Sequence, residues 1–114
     1  MLDKQEKIFK SLSDSSRIRI VKMLQRKPLC VCEIREILNL ATSTVSKHLS
    51  ILREAGLIVD WKDGKWINYK INPSPDPLAS NALLYIQMQI EEDDIIKNDR
   101  KKIKDVDRNV LCCN

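Results

Sequence analysis

The dipeptide Asp63-Gly64 lies between two β-rich runs, Leu57 to Lys62 and Lys65 to Lys70, and this arrangement limits the fold more than any other part of the chain. Asp-Gly flanked in this way is the strongest short-range signal for a tight hairpin, because the favoured two-residue turn asks for positive φ, which these residues tolerate. A turn at Asp63-Gly64 sets Lys62 opposite Lys65 and pairs Trp61 with Trp66 on the other face. The expectation is a hairpin with a basic tip above a packed tryptophan core.

Helical periodicity accounts for most of the remainder. Asp3 to Leu12 places Ile8, Phe9 and Leu12 on one face of a short amphipathic helix. Asp14 is suited to cap a second helix, in which Ile18, Val21 and Leu24 recur at intervals of three with Ile20 beside them, while Arg17, Arg19, Lys22 and Arg26 point elsewhere. Pro28 blocks its continuation. A third helix over residues 31 to 38 contributes Ile34, Ile37 and Leu38, and Asn39-Leu40-Ala41 turns the chain into a fourth, from about Thr42 to Ala55. There Val45, Leu49 and Leu52 make the buried stripe, and Gly56 supplies the residue after the helix end. Opposite the stripe lie Ser43, Ser46, Lys47 and Ser50, a small hydroxyl-rich face that suits a major groove.

Beyond the hairpin, Pro73, Pro75 and Pro77 stiffen the connection to a helix starting near Leu78. Its stripe of Ala79, Ala82, Leu83, Ile86 and Ile90 reads as a dimer face. After the acidic cluster Glu91 to Asp94, Ile96, Ile103, Val106 and Val110 either extend this helix or form another. The fold class is mainly α with a small β-hairpin wing, a winged helix-turn-helix whose terminal helices form a dimer interface.

At 114 residues the chain is expected to hold one domain, residues 1–98, followed by a C-terminal tail, 99–114. No run approaches the roughly 20 apolar residues of a membrane span, and the first residues lack the regions of a signal peptide. A cytoplasmic location without a membrane partner is therefore expected. The net charge of +4 is unevenly placed: residues 1 to 72 carry 14 Lys and Arg against 8 Asp and Glu, whereas 73 to 114 carry 6 against 8. The basic part is the candidate for nucleic acid. Four cysteines fall in two pairs, Cys30 with Cys32 and Cys112 with Cys113. Where thiols are kept reduced, such pairs argue for ligation or redox sensing rather than a disulfide frame, and thiolates select thiophilic ions.

Several segments together resemble the ArsR/SmtB family of metal-responsive bacterial repressors. They are Leu12 to Ile20 at the entry of the second helix, the thiolate box Leu29-Cys30-Val31-Cys32-Glu33, Ser43 to Leu49 in the recognition helix, Leu52 to Leu57 leading into the wing, and Asp63-Gly64-Lys65-Trp66 with Tyr69. The resemblance covers roughly residues 5 to 90. It implies a homodimer that represses an operon by binding double-stranded operator DNA until a toxic ion releases it. The implied inducer is arsenite or antimonite, with cadmium or lead as the alternative. Cys30 and Cys32 are the implied ligands. The implied DNA-contacting set is Thr42, Ser43, Thr44, Ser46, Lys47 and Ser50, joined by Lys62 and Lys65 of the wing.

The chain departs from the family in four respects. Arg35 stands where the best-known arsenic sensors carry a third thiol, and no cysteine-bearing N-terminal extension of the cadmium sensors is present. Residues 78 to 98 hold no histidine, so the family's zinc site on the last helix is not expected. The family's usual glutamine and serine are Thr42 and Ala41 here, so base preference does not transfer.

Trivalent arsenic prefers three sulfurs, and Cys112 or Cys113, from the same subunit or its partner, is the expected third donor unless glutathione completes the site. Residues two apart on a helix point roughly 200° from each other, so one ion holds both Cys30 and Cys32 only if the first turn unwinds. The distortion would pass through Ile34 and Leu38 to the recognition helix. Arg35 is expected to favour thiolates nearby.

Plainer roles stand beside these. A free cysteine is often a small buried hydrophobe, the last two cysteines can simply end a tail, and His48 is read as a packed structural residue. The chain is not expected to be an enzyme, since it has no Cys-x-x-Cys, no Gly-rich phosphate loop and one histidine. A thiol-redox-responsive repressor of the same fold, or a metal carrier that does not bind DNA, are the remaining alternatives.

Overall fold

Helix-capping chemistry sets most of the element boundaries in the computed structural model, which describes residues 2–106. Helix α1 spans Leu2–Ser11 and α2 spans Ser15–Leu24. Between them Asp14 caps α2, its Oδ1 accepting the backbone N–H of Ser16 at 2.8 Å and of Arg17 at 3.2 Å. After Pro28 the chain makes a short strand, β1 (Leu29–Cys30), and enters α3 (Val31–Leu38). Asn39, with φ 57, ends α3 in the left-handed region, and α4 follows at Thr42–Glu54. Gly56, at φ 80, releases the chain from α4 into the wing. Val45, Leu49 and Leu52 are fully buried, as are Ile20, Val21, Ile34 and Ile37, and together they form the core over which α4 is laid.

The wing differs from the expected two-stranded hairpin in two ways. Strands β2 (Ile58–Asp63) and β3 (Trp66–Ile71) pair antiparallel, and β1 adds to the free side of β3, giving the order β1-β3-β2. The two residues of β1 offered no periodicity to read; Leu29 pairs with Tyr69 and Cys30 with Asn68. The turn is also displaced. Asp63 faces Trp66, so the central pair is Gly64-Lys65, and Lys62 lies opposite Ile67 while Trp61 lies opposite Asn68. Gly64 has φ 60, and among the described residues Lys65 is not one of those with positive φ. This is the pattern of a turn with glycine in the first central position, which is favoured in hairpins as much as Asp-Gly is. A shift of two residues keeps every side chain on its face but removes the expected opposition of Lys62 with Lys65 and of Trp61 with Trp66. The tryptophans are not a packed core either. Trp61 is exposed, and each ring carries a lysine: Lys70 Nζ lies 5.3 Å from the Trp61 centroid and Lys65 Nζ 5.1 Å from that of Trp66.

Two separate helices close the structure, α5 (Pro77–Met88) and α6 (Asp94–Asp105). Asp76 caps α5, with Pro77 in its first position, and Asp93 caps α6. Ile90, at φ 55, breaks the chain between them. The stripe expected to face a second copy is largely used inside the subunit: Ala79, Leu83 and Ile86 are buried in the core and Ala82 packs against it. The apolar residues of α5 left in the open are Leu84, Tyr85 and Met88, and Phe9 of α1, expected inward, is 64% exposed.

Lys22 also departs from expectation, being only 7% exposed. Its Nζ donates to the carbonyls of Ile86 and Gln89 at 3.1 Å and pairs with Glu91, which Arg100 holds as well. A cation at the carbonyl end of α5 satisfies groups that the helix leaves unpaired. The boundary expected at residue 98 falls inside α6, whose Asp99 is buried against Arg19. Cys112, Cys113 and Val110 lie outside the described residues. Among the described residues no helix is long and apolar enough to cross a membrane.

Candidate DNA interface and thiol site

Burying Val45, Leu49 and Leu52 turns the opposite side of α4 outward. Thr42, Ser43, Thr44, Ser46 and Lys47 are exposed and Ser50 is half-buried, so the expected recognition face is open to a partner. Lys62 and Lys65 are exposed on the wing. Helix and wing are tied together by Arg53 near the end of α4, whose Nη1 donates to Asp60 of β2 at 2.8 Å. That link was not read from the sequence, where a helix-terminal arginine and a strand aspartate seven positions apart carry no pairing signal. If the three lysines meet phosphates, each neutralised phosphate contributes about 0.9 to the salt slope of binding. Lys47→Ala, Lys62→Ala and Lys65→Ala are each expected to lower the slope of log affinity against log salt by roughly 1 per bound copy, measured by fluorescence anisotropy.

The two cysteines of the box occupy different environments. Cys30 ends β1 and is the N-cap of α3, with extended backbone (φ −89, ψ 167) and no exposure. Its own N–H donates to the Glu33 carboxylate at 2.9 Å, and its sulfur faces the backbone N–H groups that open α3. Cys32 is half-buried within the first turn and is disulfide-bonded, whereas Cys30 is a free thiol, so the expectation of two reduced thiols in the box does not hold in this structure. Cys30 is therefore not on the helix, and helix pitch does not dictate the angle between the two sulfurs. An ion taking the Cys30 sulfur competes instead with its place at the N-cap of α3.

Burial first of all, and then the Glu33 carboxylate, push the Cys30 thiol above its ordinary range, against the sulfur-facing N–H of Glu33 and Cys32. The expected lowering by Arg35 is not what this thiol experiences. Arg35 is half-buried, and its Nε, enclosed in protein, has no hydrogen-bond partner among the described residues. Ile34 is fully buried and Leu38 nearly so, and α3 packs directly on α4. Among the described residues no group of three or more His, Cys, Asp or Glu is arranged to hold a metal ion.

His48, read as structural, sits on α4 with its Nδ1 3.0 Å from Arg17 Nη1. No sequence pattern announces this pair, because its members are 31 residues apart.

Comparison with known proteins agrees with this arrangement. Residues 14–59 match the family model described as bacterial regulatory protein, arsR family. The chain is 42% identical over 67 residues to the arsenical resistance operon repressor of Escherichia coli; the match covers 58% of this chain and 57% of that protein, little more than half its length. It is 32% identical over 111 residues to an arsenic resistance transcriptional regulator of Pseudomonas putida, covering 93% of this chain and 95% of the relative. Among solved structures, HlyU of Vibrio cholerae superposes with a TM-score of 0.64 at 26% identity, over 76% of this chain and 92% of that one. The fold is a winged helix-turn-helix, and the chain belongs to the arsR family of bacterial regulatory proteins.

Proposed function

We propose that this protein is a homodimeric transcriptional repressor that acts in the cytoplasm, binding operator DNA through α4 and the wing and letting go when arsenite or antimonite condenses with its cysteine thiols. The observation that carries this reading is Cys30, fully buried at the N-cap of a helix that packs on the recognition helix. Arsenous acid and three thiols exchange three As–O bonds for As–S bonds, and each thiol proton leaves in a water molecule. The product is neutral. Cadmium or lead would displace the protons as ions and leave charge in an apolar surrounding, which burial disfavours. Cys30 in the core thus favours the metalloid over the divalent cations.

Taking up the sulfur of Cys30 disturbs the first turn of α3 and, through Ile34 and Leu38, the seat of α4. Couplings of this kind are typically about 1–3 kcal/mol, or roughly 5–150-fold in affinity. For the third thiol, α6 supports Cys112 or Cys113. Val106 packs against the core, and Lys102 Nζ approaches the Ile37 carbonyl of α3 at 3.5 Å. Cys112 follows Val106 by six residues, an extended reach of roughly 20 Å. The eight residues of α3 span about 12 Å.

Dimerisation is supported by the apolar residues that the subunit leaves uncovered on α1 and α5. Phe9, Leu84, Tyr85 and Met88 are each more than half exposed. A hollow of about 540 Å³ lined by Phe9, Leu12, Ile18, Leu78, Ala82 and Tyr85 lies among them. A two-fold pair presents two copies of α4, so the operator should be an imperfect palindrome with half-sites about one helical turn or more apart.

The test is fluorescence anisotropy of the reduced protein on a duplex spanning its own promoter, titrated in parallel with arsenite, antimonite, cadmium, lead and zinc. Release by arsenite or antimonite at concentrations where the divalent ions have no effect supports the reading. Release by cadmium or lead first would reverse the choice of inducer, and binding that no ion disturbs would remove the sensor.

A further inference from the structure

Arg17 spends three donors of its planar fork on two different parts of the fold. Its Nε donates to the Ser11 carbonyl at 2.8 Å and its Nη2 to the Lys10 carbonyl at 3.2 Å, both at the carbonyl end of α1, where a cation is favourably placed. The remaining arm, Nη1, reaches His48 Nδ1 at 3.0 Å. A guanidinium has no acceptor, so His48 Nδ1 must accept, which requires a neutral imidazole with its proton on Nε2. The bond joins the α1–α2 corner to the recognition helix next to Lys47.

We propose that Arg17 is a positioning residue for DNA recognition: it orients α4 through neutral His48, and losing this bond, by substitution or by protonation of His48, weakens operator binding. The inference rests on the reading of α4 as the DNA-contacting helix. Val45, Leu49 and Leu52 hold α4 by apolar contact, which has no direction and tolerates a small rotation about the helix axis. The Arg17 bond is directional and lies on the flank of the buried stripe. It therefore constrains the angle at which Ser43, Ser46 and Lys47 are offered to DNA.

Protonation of His48 would remove the acceptor on which the bond depends. From α2 and its cap His48 faces Arg17 and the Asp14 carboxylate. From α1 the cluster receives the carbonyls of Lys10 and Ser11, while the Lys10 ammonium turns to Glu6 at 3.4 Å. The contact of α4 with β2 carries Arg53 and Asp60 at the far end of the helix, and its packing with α3 centres on the apolar Ile34 and Leu38. Once protonated, the imidazole has only donors, and two cations then stand at hydrogen-bond distance. Asp14 can attract the imidazolium but cannot restore the bond to Arg17.

The experiment compares wild type, Arg17→Ala and His48→Asn on a duplex spanning the protein's own promoter, by anisotropy between about pH 8 and pH 5.5, the range in which imidazole changes charge. Asparagine offers an oxygen acceptor near the Nδ1 position and does not titrate in this range. Wild type is expected to weaken roughly 5- to 20-fold on acidification, within the usual span of allosteric couplings. His48→Asn should bind like wild type at the higher pH and lack this loss. Arg17→Ala should show a similar weakening already at the higher pH and little further change. Nitrogen NMR of His48 in the DNA-free protein should find Nδ1 unprotonated at the higher pH.

A protonated Nδ1 there, or the same pH profile for wild type and His48→Asn with normal duplex binding, would overturn this inference alone. Failure of wild type to bind the duplex at any pH would overturn the repressor reading and this inference with it.

Discussion

Cys30→Ser is expected to yield a folded protein that still binds its operator and no longer releases it on addition of arsenite. The position is buried, so a hydroxyl in place of the thiol loses about 1–3 kcal/mol of solvation. It is also the N-cap of α3, where serine is among the preferred residues and contributes about 1 kcal/mol. The two effects offset each other, leaving a net loss of roughly 1 kcal/mol. Arsenite release, by contrast, should fall from a factor of roughly 5–150 to none, because one of the three proposed sulfur ligands is gone. In the reduced protein Cys32→Ser, half-buried and within the first turn, should lose release in the same way. Anisotropy with and without arsenite separates the outcomes. If DNA binding and release disappear together in both variants, these cysteines hold the fold rather than the inducer. Replacing Cys112 and Cys113 by serine tests the third donor, and unchanged arsenite affinity would remove the tail from the site.

Asp99→Ala should be the most destabilising single change outside the apolar core. Asp99 is 3% exposed and accepts both Arg19 Nε and Arg19 Nη2 at 2.8 Å, a bidentate pair between α6 and α2. The same contact raises the Arg19 pKa, with the Asp99 hydrogen bond as the main cause. Removing one member of a buried pair strands the other, which costs about 3–5 kcal/mol. Arg19 retains some access to water, its side chain being 22% exposed, so the lower end of that range, about 3 kcal/mol, is expected. Urea unfolding measures it. The double variant Asp99→Leu with Arg19→Met should recover much of the loss, because the penalty lies in the unpaired charge and not in the absence of the pair. A midpoint for Asp99→Ala close to wild type would mean that α6 is only loosely docked on α2, which would also weaken the case for a tail held near α3.

Local signals carried the reading where one residue type has one cheap solution. Asp14 as a cap, Pro28 as a stop, Gly56 after α4, and the Val45, Leu49, Leu52 stripe are all found as expected, because capping and helical amphipathicity act over a few residues. The wing turn shows where this fails. Asp63-Gly64 and Gly64-Lys65 both make acceptable hairpin turns and preserve the same facing of side chains, so the register depends on how the strands meet the rest of the sheet. Strand β1 has two residues and exists only because β3 is beside it.

Lys22 and the α5 stripe mark the same limit for burial. A lysine reads as exposed until a helix end is brought to it, and α5 reads as an uncovered face until α1 and α2 are packed against it. At the site, the positions of the two box cysteines and the exposed hydroxyl face of α4 were legible from spacing and from family resemblance. The Cys30 N-cap geometry and the Arg17 to His48 bond were not. The sequence by itself determined the first four helices, the Asp14 cap, the turn region and the outward face of α4, since these follow from chemistry between near neighbours. Tertiary structure alone decided the strand register, the thiol environment, the buried lysine and the corner that holds α4, and the last two depend on groups roughly 30 to 65 residues apart meeting at one point.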